Sequence, residues 1–330
     1  MGLLVPFLVS IGLGLLLTPA TRRVGAGIGL VDRPGGALTI HSGSIPVTGG
    51  FAVTGAALAA IAVDGSAPVV SVAGAALLAL AVGTADDAVG LPPWARVLGL
   101  AAAGGVLALG APGTALGDAG TVVTVIAAVA TANAVNVMDG QDGLASGLAL
   151  IAALGLAGMS ALGGFGAGTA SGLALAGGLV AFLLWNRPPA RVFLGNGGAY
   201  SVGVLLAAAA MLGPGSGGWK GLLAAGTCLG VFVFEAAHTV TRRLRSKAHV
   251  TAGDREHTYD VLAYLMGRTR STLTMWAVGA AAFGLAFAVW ASRLAVGAAL
   301  IAVAVLVFGT AAELGLRWRR HATRTSMEGG

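Results

Sequence analysis

Charge is what this sequence has least of. Only 19 of its 330 residues are Lys or Arg and 13 are Asp or Glu. Soluble domains carry about 25% charged residues, so 10% leaves too little polar surface to cover a water-soluble body of this size. With 56% of the residues hydrophobic, a disordered chain is excluded as well. The one cysteine, Cys228, sits in an apolar run, so neither an internal disulfide nor a thiolate metal cluster is available. The opening stretch from Gly2 to Leu17 lacks the basic start of a secretory signal. It is followed by Arg22 and Arg23 rather than a small-residue cleavage site, so it reads as a retained first span.

What the sequence has in quantity is apolar runs and 55 glycines. The runs fall at 2–19, 48–64, 67–83, 96–111, 120–136, 143–161, 166–185, 199–213, 219–239, 272–290 and 293–314. Each approaches the roughly 20 residues that cross a bilayer as a helix, and none shows the alternation of a membrane barrel strand. The expected fold is therefore an all-α integral membrane protein, a polytopic bundle of about 11 (10–11) helices closely packed through glycine. Residues 1–315 read as one membrane domain, with the connection 241–271 over the site, and 316–330 as a basic cytoplasmic tail.

Eleven spans sort the loops into two sets, and 17 of the 19 Lys and Arg fall in one, leaving Lys220 and Arg293 in the other. The positive-inside rule makes the rich set cytoplasmic, with the N-terminus outside and the C-terminus inside. The net charge of +6 thus reflects topology and attraction to anionic lipid and substrate, with no nucleic-acid partner implied. The acids gather on the same side, where only Asp64 and Asp118 are missing. Positive-inside bias gives no reason for this, and carboxylates among arginines at several helix mouths suit a divalent cation and a phosphorylated substrate.

Four stretches stand out. Asp86-Asp87 closes the third run; adjacent carboxylates repel unless a cation or proton relieves them, though two solvated loop acids are the plainer alternative. In Asn133-Ala-Val-Asn136-Val-Met-Asp139-Gly140-Gln-Asp142-Gly143, polar groups recur every three residues, which on a helix lines one wall, and the glycines admit a ligand. Such polar density at the end of a span points to function, the alternative being a polar loop with turn glycines. Gly195-Asn196-Gly197-Gly198 opens a helix whose N–H groups suit an anion, with Arg187 and Arg191 nearby, or is an ordinary glycine loop. The connection 241–271 carries Arg242, Arg243, Arg245 and Lys247, which also suit a lipid-facing patch, and then Arg255 and His257, which suit pyrophosphate or sugar. Ahead of them, Asp32, Pro34, His41, Pro46, Gly49 and Gly50 lie in a loop leading into the second span.

These segments, in this order, resemble the polyprenyl-phosphate N-acetylhexosamine-1-phosphate transferase family, the glycosyltransferase family 4 membrane enzymes that start peptidoglycan, O-antigen and teichoic acid lipid intermediates. The family's D-x-P…H…P-x-x-G-G stretch looks like Asp32 through Gly50, and its D-D…L…K stretch like Asp86, Asp87, Leu91 and Arg96, with Arg for Lys. Its N-x-x-N-x-x-D-G-x-D-G-L-A signature matches Asn133 through Ala145 in full, and Glu235 stands where Asp is frequent. Two departures are plain. The family's F-x-G-D-x-G-S turn, whose Asp binds Mg2+, here reads Phe193-Leu-Gly195-Asn196-Gly-Gly198-Ala. Its D-R-x-H-x-H-H loop keeps one His as Asp254-Arg255-Glu-His257-Thr-Tyr259, a form similar to the subgroup that transfers deoxy-amino sugars.

The resemblance implies transfer of a sugar-1-phosphate from a UDP-amino sugar to polyprenyl phosphate with release of UMP. The enzyme would lie in the bacterial cytoplasmic membrane with its site facing the cytoplasm and use Mg2+ or Mn2+; a homodimer is one option, the oligomeric state not being readable from sequence. It assigns catalysis to Asp86, Asp87, Asp139 and Asp142; metal binding to Asp87, Asp139 and Asn196, the last weakened; and substrate binding to His41, Arg96, Asn133, Asn136, Gly195, Arg255 and His257. The alternative is a catalytically impaired paralogue that binds polyprenyl phosphate or nucleotide sugar. A transporter fits less well, since its ionisable residues would gather near the bilayer midplane.

Overall fold

The computed structural model describes residues 2–33, 43–111, 114–245 and 256–292. Among them are twelve α-helices: α1 (Val5–Ile28), α2 (Gly49–Asp64), α3 (Val69–Val89), α4 (Pro93–Ala108), α5 (Gly120–Met138), α6 (Leu144–Leu162), α7 (Gly166–Asn186), α8 (Gly195–Leu212), α9 (Trp219–Cys228), α10 (Gly230–Arg245), α11 (Thr258–Met266) and α12 (Arg268–Ala291). The fold is that of an all-α membrane protein. Seven helices are long and apolar enough to cross a bilayer, or eight if α9 and α10 form one span. α2 and α4 are apolar but shorter, at 16 residues each. The described residues thus give seven or eight long spans where the sequence suggested about 11; the expected run at 293–314 and the tail 316–330 lie outside them.

The run 219–239, read from sequence as one span, is broken: α9 and α10 meet at a 77° bend. α10 then stays helical as far as Arg245, so Arg242, Arg243 and Arg245 occupy its last turn, where cations favour the negative end of the helix dipole. The stretch expected to be a simple connection also contains α11.

α8 lies at the centre, packed against α2, α3, α5 and α7. Its Gly, Ala, Val and Leu content makes it apolar all round, and every residue from Gly197 to Met211 is buried. Lipid is as apolar as these side chains, so helices in a bilayer are held by close packing and interhelical hydrogen bonds rather than by exclusion of water. Small residues supply the closeness: Gly203 meets the backbone of α5 at Ala132, and Gly50 of α2 meets Gly198. Hydrogen bonds add to it, with the Thr131 hydroxyl donating to Gly203 O at 2.8 Å and the Thr54 and Ser201 hydroxyls 2.7 Å apart.

A two-residue antiparallel pairing of Val31–Asp32 with Ile45–Pro46 brings together the ends of the front segment. That segment is fastened to the approach to α8: Phe193 N–H donates to Pro46 O at 2.8 Å, and Gly49 and Gly50 N–H donate to Phe193 O and Leu194 O. The front loop, the C-terminal end of α3 and the N-terminal end of α8 therefore share one end of the bundle.

Candidate active site

The aspartate pair ends α3, and a glycine one turn earlier decides where it lands. Gly83 faces the backbone of Asn196 and Gly197 so closely that a Cβ would overlap it. The last turn of α3 is therefore pressed against the first turn of α8. Asp87 uses this approach: its Oδ1 accepts from Asn196 N–H at 3.1 Å and its Oδ2 from Gly197 N–H at 3.4 Å. Helix N-termini carry free donors and partial positive charge, so a carboxylate here is a favourable cap. The sequence reading reserved these N–H groups for an incoming anion, whereas the chain's own Asp87 occupies them.

Asp86, 8% exposed, points elsewhere. Its Oδ1 accepts from Leu91 N–H at 2.8 Å, and its Oδ2 accepts from Arg96 Nη1 at 3.3 Å and from Asn196 Nδ2 at 3.0 Å. Gly90, at φ 68°, lets the chain turn back after α3 so that Leu91 N–H reaches this carboxylate.

Asn133, Asn136 and Asp139 do not continue along one helical wall to Asp142, because α5 ends at Met138 and Asp139 leaves the helix at ψ 40°. Asn133 spends its amide on Val129 O one turn back, at 2.8 Å. Asp142 accepts from Ala190 N–H at 2.9 Å and so anchors the loop between α7 and α8. No hydrogen-bond donor among the described residues reaches the Asp139 carboxylate. Burial, then the charges of Asp87 and Asp142, hold its carboxyl well above the usual range. Asp87, Asp139 and Asp142 are thus close enough to feel one another.

Sequence reasoning missed Asn186. It is 2% exposed at the end of α7; its Oδ1 accepts from Gly143 N–H at 3.1 Å and Ser146 Oγ at 2.6 Å, and its Nδ2 donates to Val192 O at 3.0 Å. One amide thereby ties the Asp139–Asp142 turn to the approach to α8. The available signal was a lone Asn closing a long apolar run.

The segment after 255 folds onto the same turn. Tyr259 donates its hydroxyl to Val137 O at 3.1 Å, and Gly140 lies so close to that hydroxyl that a Cβ there would overlap it. Gln141 Nε2 and Ser271 Oγ both donate to Tyr259 O, at 3.0 and 2.8 Å. His257 stacks on Tyr259 with centroids 5.1 Å apart, and its Nδ1 lies 3.1 Å from both Glu235 Oε1 and Thr239 Oγ1 of α10. Arg242 Nη1 donates to Glu256 Oε2 at 3.0 Å, a second link between α10 and this segment.

Of the predicted residues, Asp86, Asp87, Arg96, Gly195 and Asn196 thus converge, with Asp139 and Asp142 beside them. His257 is linked to that turn through Tyr259. Asn136 is half-buried in α5. Arg187 and Arg191 are exposed, while Arg22 donates to Arg191 O at 3.0 Å and lies over the Trp185 ring. His41 and Arg255 lie outside the described residues. Among the described residues no three His, Cys, Asp or Glu side chains form a metal cage by themselves. An uncompensated carboxylate at Asp139 beside Asp87 and Asp142 nevertheless fits a hard cation, and Mg2+ is commonly held by one or two carboxylates with substrate phosphates and water completing the shell.

Residues 69–213, which hold both aspartate clusters and the α8 turn, match the model of Glycosyl transferase family 4. The matched stretch is less than half of the chain. It is 33% identical over 134 residues to the undecaprenyl-phosphate alpha-N-acetylglucosaminyl 1-phosphate transferase of Thermotoga maritima, 40% of each chain. It is 25% identical to the Bacillus subtilis protein named Probable undecaprenyl-phosphate N-acetylglucosaminyl 1-phosphate transferase, over 84% of this chain and 82% of that one. A 75-residue stretch is 48% identical to the phospho-N-acetylmuramoyl-pentapeptide-transferase of Nostoc punctiforme, 21% of this chain and 19% of that one. The site residues between α3 and α8 lie inside the matched region, while Glu235, His257 and Tyr259 lie beyond it.

Proposed function

We propose that this protein transfers an N-acetylhexosamine-1-phosphate from a UDP-linked donor to a polyprenyl phosphate and releases UMP. An oxygen of the lipid phosphate attacks the phosphorus that bears the sugar, the bond from that phosphorus to the UMP oxygen breaks, and UMP leaves. The named relatives support the reaction class. The observation in this chain that carries the reading is Asp139: a carboxylate with no donor, held beside Asp87 and Asp142 at the end of a span, is costly without a cationic partner.

Asp139 and Asp87 would hold Mg2+, with the Asn196 carbonyl oxygen offering a neutral ligand. The ion would neutralise the diphosphate and the charge that grows on the leaving phosphate. Asp86 is engaged by three donors and serves to place Arg96 and Asn196. Asp142 and Asn186 fix the turn, and His257, oriented by Glu235 and stacked on Tyr259, would contact the sugar or diphosphate together with Arg255 and His41. Asn133, Asn136 and Gly195 would line the nucleotide side.

In the same proposal, residues 1–315 form one domain and 316–330 a basic tail, and α2, α4 and the 293–314 run are short or final spans that bring the total to about 11. The N-terminus lies outside and the site faces the cytoplasm of a bacterial plasma membrane, supported by the Lys and Arg distribution. The lipid phosphate then enters from the inner leaflet and the nucleotide sugar from water.

A second reading, a non-catalytic binder of either substrate, is favoured by one observation, Asn at position 196. Lipid-dependent UMP release by the purified protein separates the two, and Asp139→Asn should lower it roughly 100- to 1000-fold. Binding of both substrates without UMP release would select the second.

A further inference from the structure

We infer that Asn196 is a clamp on the aspartate pair, a positioning residue whose side-chain amide holds Asp86 while its backbone N–H holds Asp87. One residue contacts both carboxylates: Nδ2 to Asp86 Oδ2 at 3.0 Å, and N to Asp87 Oδ1 at 3.1 Å. The orientation of the amide is set by its partner. An ionised carboxylate only accepts, so the NH2 end must face Asp86 and the planar amide turns its oxygen away. Asp86 is buried; Leu91 N–H serves its Oδ1 and Arg96 its Oδ2 at a long 3.3 Å, and Asn196 adds the shorter bond to Oδ2 at 3.0 Å.

Whereas the Asn amide always carries its donors, an Asp at position 196 could donate to Asp86 only by holding a proton. It would set a third carboxylate against Asp86 and Asp87 at a helix end pinned to α3 through Gly83, where the backbone has no room to retreat. Asn196 is therefore more than a weakened metal ligand that an acidic residue would repair: whatever its carbonyl oxygen offers a cation, its NH2 group holds Asp86. In this chain the hydrogen bond between Asn196 and Asp86 does what a shared cation would otherwise do, and the cation site contracts towards Asp139. The inference deepens the proposed function, but its main test requires no turnover.

The test compares the wild type, Asn196→Asp, and the double variant Asp86→Asn with Asn196→Asp, by thermal unfolding in detergent with EDTA. The double variant exchanges the donor and the acceptor between the two positions, with loss of the weaker Arg96 bond, because Asp86 Oδ2 accepts from both Arg96 and Asn196. Asn196→Asp is expected to lower the metal-free apparent Tm by about 5 °C, and the double variant to regain at least half of the loss. If the single variant fails to accumulate, membrane yield is read the same way. An Asn196→Asp protein as stable as the wild type, or a double variant no better than the single one, overturns the clamp. UMP release should fall about tenfold in Asn196→Asp; a rise would overturn the inference while leaving the transferase reading intact.

Discussion

Gly83→Ala is the sharpest single perturbation of this site, because it adds one methyl group where α3 meets the backbone of Asn196 and Gly197. The new Cβ can reach normal contact only if the helices part by about 1 Å. The Asp87 hydrogen bonds to Asn196 and Gly197, already 3.1 and 3.4 Å long, would then exceed hydrogen-bonding range. Charge-assisted bonds of this kind contribute about 1.5–3 kcal/mol each, partly replaced by water at the membrane surface, and overpacking adds about 1–3 kcal/mol. A net loss of about 3 kcal/mol is expected, offset by less than 1 kcal/mol from replacing a helical glycine. Displacement of Asp87 by this amount should also cost about 100-fold in turnover. Gly105→Ala in α4 is the matched control, since nothing lies within 4 Å of its new Cβ. Thermal unfolding and UMP release would be measured on both variants. If Gly83→Ala behaves like Gly105→Ala, the close α3–α8 approach and the Asp87 cap are wrong.

Asn186→Ala removes three buried hydrogen bonds and should destabilise the protein by about 3 kcal/mol, read as a lowered Tm; an unchanged Tm contradicts its role as a tie. Asp139 carries a raised folded-state pKa, so without metal the folded state binds the extra proton and stability falls as pH rises above the unfolded carboxylate value near 3.9. Mg2+ must displace that proton, so its apparent affinity should rise with pH by up to about tenfold per unit, measured by Mg2+ titration of UMP release; a flat profile refutes this. Tyr259→Phe keeps the ring against His257 but removes the bond to Val137 O, and should cost about 1 kcal/mol in stability and a few-fold in turnover.

Much of this was legible in the sequence because membrane proteins concentrate their scarce polar residues. Asp86, Asp87, Asp139 and Asn196 stood out against apolar runs, and the structure gathers them at one end of the bundle. What periodicity could not convey was where helices stop. Asn133, Asn136, Asp139 and Asp142 share a three-residue spacing, yet α5 ends at Met138, so Asp142 serves the α7–α8 loop instead. The 219–239 run kept its hydrophobicity through a 77° bend, which no apolar count registers. Which donor meets which carboxylate is a tertiary property: the Gly195–Gly198 turn suggested N–H groups open to a ligand anion, but those of Asn196 and Gly197 donate to Asp87, 109 residues away from Asn196 in sequence. Asn186 escaped notice because a single amide has no pattern.

The most direct test of the central claim is UMP release by the purified protein in detergent, with Mg2+, polyprenyl phosphate and a panel of UDP-N-acetylhexosamines, beside Asp139→Asn. The account requires release that depends on the lipid phosphate and collapses in Asp139→Asn while that variant still inserts and folds. Lipid-dependent release undiminished in Asp139→Asn, or none from the folded wild type with any donor, would contradict it.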